Sequence, residues 1–439
     1  MPLTKGDYES MLKIDYHGPM VDQLENSLFF LSKIERYVEP TGGRHLYMPT
    51  RIGRTTSIGA RNDGSSENLP TGDRPNYASV TFPVKSLYAT IRISGFAMRS
   101  SKPTALAFER ALTSDMELTV KDMKKDLNRQ LFLDGSGELC RISGTLATTT
   151  VTCINNWYPT NPTKFLYARE KIDIRTVTDG VIVTNGDGIT INAVPSTTTF
   201  NYTTTGFTKT TNTQAVYRYG NVGNNAAGSA VEVKEIYGLA AALYNVDPDV
   251  AQPSNYSSSY VDFGTRATIS NFGGLDRGTA GNEYWKGNLL NNSTVGLRSF
   301  SVNLVEQGID QAEIIGGGVI DIIQTNHAIY RIYGSMLAAA KQYDGAQMKL
   351  DGGWKALDLN GIPMFKDVEC PDYHIFLIDS TTLMLGVVGD WAWLEDGDTG
   401  GILSRLPGQD QYEGVFNRDC NLMCDQPNKN CVIADVAHS

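Results

Sequence analysis

The sequence predicts an α+β protein that carries one small antiparallel β domain inserted into it. Three observations predict this. Residues 103–132 form one uninterrupted amphipathic run, the mark of a very long helix. Residues 140–235 turn rich in threonine and hold short β runs separated by glycine and asparagine. The last third mixes two helical stretches with short strands and turns. At 439 residues the chain exceeds one ordinary core, so two or three domains are expected.

The elements follow in order. Val21, Leu24, Leu28, Leu31 and Ile34 recur at gaps of three or four, predicting a helix that stops at Pro40-Thr41-Gly42-Gly43. Residues 44–100 hold five arginines from Arg44 to Arg74 and a polar tract around 62–68. Val80, Phe82 and Val84 then alternate, as do Ile91 and Ile93, so strands are expected, with Pro83 at an edge. This reads as a long two-stranded excursion. A lone ribbon is marginal in water. No other stretch of the chain obviously covers it, which points to a neighbouring copy.

Pro103 suits a first helical turn. After it, Leu112, Met116, Val120, Met123, Leu127 and Leu131 recur at helical spacing. Such a helix would run roughly 45 Å. Acidic residues dominate its first half and basic ones its second, in agreement with the helix dipole. Ile172–Ile174, Val181–Val183, Ile189–Ile191 and Val216-Tyr217 are the strand signals of the inserted domain. Gly316-Gly317-Gly318 marks a hinge or tight corner between helical segments.

Chemistry is sparse. No Walker loop, Gly-x-Ser-x-Gly elbow or His-Glu-x-x-His pair occurs, and no metal or cofactor site is recognisable. Cys420, Cys424 and Cys431 with His438 lack the two close ligand pairs of a zinc site, so all six cysteines read as free thiols. His374 sits in an apolar strand and reads as a core histidine. Glu395, Asp396 and Asp398 read as a turn; the further ligands of a calcium loop are missing. Lys85 reads as a surface lysine. The net charge of −10 argues against a dedicated nucleic-acid binder. No apolar run is long enough for a membrane span and no secretory signal is evident, so synthesis in a cytoplasm is expected.

The order of these elements resembles the major capsid proteins of tailed bacteriophages, the Hong Kong 97-type fold. Gly352-Gly353-Trp354, Leu359–Met364 with Asp367, Asp390–Trp393 with Asp396-Gly397, Phe416-Asn417 and Asn421-Leu422 add local likeness. The resemblance implies an N-terminal arm over 1–43 and an extended β loop over 44–100. It implies a peripheral domain over 101–139 and 236–309, with a spine helix at 103–132. The β insertion would be 140–235, the axial domain 310–420, and 421–439 would return to the peripheral domain. It implies a non-enzymatic subunit without cofactors that self-assembles into pentamers and hexamers. The resulting icosahedral head would enclose double-stranded DNA, touched without reading sequence. Portal, scaffolding and decoration proteins would be further partners, and the virion the final location, after assembly in the bacterial cytoplasm. The implied subunit contacts are Arg54, Arg61, Arg74, Lys85 and Arg92 on the excursion. On the helix they are Glu109, Asp115, Glu117, Lys121, Lys125 and Arg129. Three other classes fit parts of the pattern: a phage tail or adhesion protein, an encapsulin-like compartment subunit, and a carbohydrate-active enzyme with paired carboxylates.

Overall fold

The computed structural model describes residues 30, 33–38, 45–55, 57–60, 72, 76–96, 105–144, 149–155, 157–177, 180–203, 213–221, 234–244, 271–292, 296–339, 347–349, 355–394 and 403–438. For 105–114 it describes the backbone alone. Most of the expected N-terminal helix, the tip of the excursion and the acidic stretch 395–400 lie outside the described residues.

Among the described residues, four strands come first: β1 (Glu35–Val38), β2 (His45–Arg51), β3 (Tyr77–Pro83) and β4 (Lys85–Ser94). Helix α1 (Ala105–Phe132) follows, 28 residues or about 42 Å long. Its Met123, Leu127 and Leu131 are buried at the expected spacing. Next come β5 (Glu138–Ser143), β6 (Thr150–Ile154), β7 (Lys171–Thr176), β8 (Ile189–Ser196), β9 (Thr199–Tyr202) and β10 (Gln214–Arg218). These six close into a barrel in the order β10-β5-β6-β9-β8-β7. Ile142, Val151, Ile172, Ile174, Ile189, Ile191 and Phe200 are essentially inaccessible within it. Closure leaves the barrel no open edge.

After the short buried helix α2 (Leu239–Leu243) come β11 (Asn271–Phe272), β12 (Leu275–Asp276) and β13 (Asn288–Leu290). Helix α3 (Val302–Gly316), β14 (Ile322–Thr325) and helix α4 (His327–Ala339) lead to β15 (Gln347–Lys349), β16 (Lys355–Leu359), β17 (Ile362–Lys366) and β18 (Ile375–Ile378). The chain finishes with β19 (Leu383–Trp393), β20 (Leu403–Arg405), β21 (Gln411–Cys424) and β22 (Cys431–Ile433).

Two large sheets organise the described residues. A seven-stranded mixed sheet runs β13-β22-β18-β14-β17-β16-β15. One face of it, with Leu377, Ile433 and Ile323, packs under α3 and α4. The other, with Phe376, Ile378 and Phe365, joins a core shared with α1, α2 and the barrel. The second sheet has five strands, β1-β19-β21-β20 with β4 also on β21. It gathers three segments far apart in sequence.

Within the span 310–420 the strands divide between two sheets: β14–β18 lie in the seven-stranded one and the long β19–β21 pair in the five-stranded one. Residues 431–433 join the seven-stranded sheet beside β13 and β18. Each strand found its partner at long range, and no local pattern carries that information. One sequence expectation is corrected: the excursion is not one ribbon. Only β2 and β3 pair as a two-stranded ribbon, whereas all ten residues of β4 pair with Gln411–Cys420.

Candidate assembly surfaces

The β2–β3 ribbon has two unlike faces. Cross-strand partners share a face, so Leu46 with Phe82 and Met48 with Val80 point one way. That face packs on the chain's own core: the Phe82 ring lies 5.1 Å from Phe272 and 6.4 Å from Tyr237. Thr81 N–H donates to Gly273 O at 2.9 Å. The expectation that no part of this chain covers the ribbon is therefore overturned for its root, because β11, β12 and the approach to α2 supply the surface. The opposite face carries Tyr47 and Tyr77, 65% and 64% exposed, and beyond the root Ile58 is 70% exposed. Nothing among the described residues covers these side chains.

The structure distributes the sequence-derived contact residues unevenly. Arg54 is exposed just beyond β2, while Arg61 and Arg74 lie outside the described residues, as does the side chain of Glu109. Lys85 is half-buried at the start of β4, opposite Cys420. Arg92 is exposed, but its Nε sits 3.1 Å from Glu413 on β21. Glu117 and Lys121 are exposed on α1; Asp115 and Lys125 are half-buried.

Arg129 is a correction: it is 1% exposed and faces inward. Its Nε bonds Asp126 at 2.8 Å and its Nη2 bonds Glu235 at 2.7 Å. Asp126 also receives Arg218 Nη1 at 2.7 Å and Gln130 Nε2 at 2.8 Å. Burial alone would push the Asp126 carboxyl up, but Arg129 and Arg218 hold it well below the usual range. Burial likewise opposes the Arg129 cation, and Asp126 and Glu235 outweigh it. The network ties α1 to β10 of the barrel and to the approach to α2, on the wall of an open cleft of about 910 Å³. A charged residue on an amphipathic helix reads as solvent-facing by default. Only the long-range partners reveal the opposite.

A second joint links the barrel to the loop before β18. Tyr158 Oη donates to Glu369 O, and Lys164 Nζ sits 3.1 Å from Glu369 Oε2 and 4.2 Å over the Tyr158 ring. Asp367, in the same loop, receives Asn128 Nδ2 of α1 at 3.0 Å and Glu369 N–H at 2.8 Å. Burial pushes the Asp367 carboxyl up to about 6. His374 is buried and neutral in its ordinary role, pushed down to about 4 by burial, with Tyr244 Oη and Asp372 O as partners. All six cysteines are buried thiols. Arg277, which sequence reading did not single out, is fully buried. It donates to the carbonyls of Ala241 (2.9 Å), Ala242 (2.5 Å), Tyr244 (2.6 Å) and Trp285 (3.0 Å), capping α2 with a cation.

No protein-family model matches the sequence, and no curated protein is similar to it. Solved structures do match. A chain of the cyanophage A-1(L) capsid asymmetric unit aligns with a TM-score of 0.53 at 10% identity, covering 95% of this chain and 95% of that one. This chain has the fold of a tailed-phage capsid protein. The holo-encapsulin complex of Synechococcus elongatus aligns at 0.46 with 7% identity, covering 100% of this chain and 98% of that one. A native GTA particle capsid aligns at 0.46 with 9% identity, covering 97% and 96%. Seen as a capsid fold, the chain is a mixed one with more strand than helix, as its element order shows. Among the described residues, no helix is long and apolar enough to cross a membrane.

Proposed function

We propose that this chain is the major capsid protein of a tailed phage, assembling with copies of itself into pentamers and hexamers. Those close into an icosahedral shell around packaged double-stranded DNA. The single observation that carries this reading is the capsid fold, matched over nearly the whole length of a phage capsid chain. The outer ribbon face supports it. Tyr47, Tyr77 and Ile58 are presented to solvent on a root held firmly from below, which suits a surface that docks onto another molecule.

In this reading α1 and the five-stranded sheet form the peripheral unit, and the seven-stranded sheet with α3 and α4 forms the axial unit. The barrel is an insertion between α1 and α2. Glu117, Lys121 and Arg54 remain contact candidates, being exposed. Arg92 contributes through a pair already formed with Glu413, and Arg129 acts within the subunit. Stable interfaces bury on the order of 1,600 Å² in total, and several per copy make a shell cooperative. Portal, scaffolding and decoration proteins, assembly in a bacterial cytoplasm and residence in the virion belong to the same proposal.

The test is electron microscopy and sedimentation of the purified full chain. Closed shells or rings of five and six are expected. A chain that stays monomeric over the whole accessible concentration range would refute the reading. Nuclease-protected double-stranded DNA in particles from lysed host cells separates a phage head from a protein-filled compartment.

A further inference from the structure

We propose that copies of this chain join head to tail through α3 of one copy and α4 of the next, an acidic face against a basic one. The inference rests on the self-assembly reading above and names the surfaces that would carry it.

Both helices cover the same face of the seven-stranded sheet. α3 lies over β22 and β13 at one end, and α4 lies over β17 toward the other. Their charges are segregated. α3 carries Glu306, Asp310 and Glu313 and no basic residue; α4 carries His327 and Arg331 and no acidic one. Lys366, at the end of β17, adds a second fixed cation beside α4, its Nζ 5.2 Å from the Tyr330 ring. Asp310, Glu313, Arg331 and Lys366 are all exposed. Among the described residues none of these four makes an ion pair.

The placement is also poor for the helix that bears it. Glu313 sits at the C-terminal end of α3, where the helix dipole disfavours an anion and the last turn holds no basic residue. A charge that does its own helix no service is explained by a partner. Two flanks of opposite sign on one unit fit each other in a second copy, and such a heterologous contact closes into a ring.

The end of α3 adds an apolar tip. Ile314, Ile315 and Val319 are 82%, 52% and 75% exposed. Isolated exposed aliphatics are common, but three β-branched side chains within six residues form a patch. The corner beneath them is rigid. Gly317 takes a left-handed conformation at φ 65°, and a Cβ on Gly316 or Gly318 would lie 2.2 Å from the carbonyl oxygens of Asn428 and Lys429. Three exposed aliphatic side chains make a small patch beside the ~800 Å² that each partner of a standard interface buries. That is too little to hold a separate partner alone. It suits a contact repeated around a ring, where other surfaces share the load.

The experiment uses the full chain with two reversals, Asp310→Lys with Glu313→Lys, and Arg331→Glu with Lys366→Glu. Circular dichroism should match the parent, and thermal unfolding should be no lower, with a small rise allowed for Glu313→Lys at the C-terminal end of α3. Each variant alone should need at least a tenfold higher concentration to form rings in sedimentation and negative-stain images. Mixed one to one, the two variants should form rings again with even subunit numbers, because an all-basic copy then alternates with an all-acidic one. Both variants assembling like the parent would overturn the inference, and so would a mixture that stays unassembled. Failure of the parent itself to form rings or shells would instead refute the proposed function.

Discussion

Replacing Asp367 by Asn should change how the stability of this protein depends on pH, and the sign follows from burial. Asp367 is 4% exposed. Its Oδ1 accepts two hydrogen bonds, while its Oδ2 has no partner among the described residues. Burial is the largest influence and raises the carboxyl from 3.8 to about 6, against the lowering effect of Glu369 N–H and Asn128. An acid raised on folding is penalised when ionised. The cost is fully present above pH 6, shrinks as pH falls, and is gone below 3.8. From 3.8 to about 6 it amounts to about 3 kcal/mol, of which about 1 kcal/mol is recovered between pH 7 and pH 5. His374 works in the other direction: its pKa falls on folding to about 4, so it removes stability as pH drops below 6.5. The comparison must therefore be parent against Asp367→Asn, which leaves His374 in both. Urea unfolding of the unassembled full chain, followed by tryptophan fluorescence at pH 5, 6, 7 and 8, provides it. The parent should gain on the variant by about 1 kcal/mol from pH 7 to pH 5. A difference that stays constant over this range would refute the assignment of a raised carboxyl at this joint.

Three other outcomes are expected. Arg277→Met strips four buried carbonyls of their donor and should cost about 3 kcal/mol or more in thermal unfolding, with Arg277→Lys recovering only part, because one ammonium cannot match a fork of donors. Gly273→Ala would put a Cβ 2.2 Å from Val80 Cγ1 at a residue with φ 61°; a loss of about 2 kcal/mol and faster proteolysis between β2 and β3 should follow, with the far-ultraviolet spectrum unchanged. Gly316→Ala drives a Cβ toward Asn428 O and should lower the unfolding midpoint by the equivalent of about 1–3 kcal/mol. An unchanged midpoint would mean that this corner gives way freely.

How much of this was legible in the sequence differs by element. Helix α1 was plain, because its apolar residues repeat over many turns and Asp134-Gly135 stops it; the expected end at 132 is the observed one. The strands around Phe82 and Ile93 were equally visible as strands. Their partners were not: Ile93 pairs with Tyr412, and alternation says which face is buried but not which distant strand lies alongside. The same gap hid that β19 and β22, close in sequence, lie in different sheets. Among candidate contacts, Glu117, Lys121 and Arg54 are exposed as a charged residue should be. Arg129 is not, because its countercharge Glu235 lies far along the chain; Arg277, never a candidate, is buried for a like reason, by carbonyls of residues 241–285. The apolar tip at Ile314 was hidden for the opposite reason. Helical periodicity treats an isoleucine as core-facing, and only the end of the supporting sheet reveals that nothing lies beneath it.

The glycine triplet bears on how one chain could serve rings of different curvature. Read as sequence, Gly316-Gly317-Gly318 invites a hinge. In the fold, two of the three are pressed against the backbone of residues 428–429, and the third closes α3 as a left-handed cap. The joints on either side are equally firm: the Arg129 network binds α1 to the barrel, and the Asp367–Glu369 loop binds the barrel and α1 to the seven-stranded sheet. One core cluster runs through these two joints, and α3 packs on a second cluster across the sheet. Packed cores respond to stress by switching between discrete arrangements and not by smooth bending. Under the proposed function, then, adjustment between pentamers and hexamers falls to the contacts between copies and to the outer ribbon, where Tyr47, Tyr77 and Ile58 stand clear of that core. A surface held together by exposed charge and a small apolar tip can slide at little cost, whereas the subunit behind it cannot.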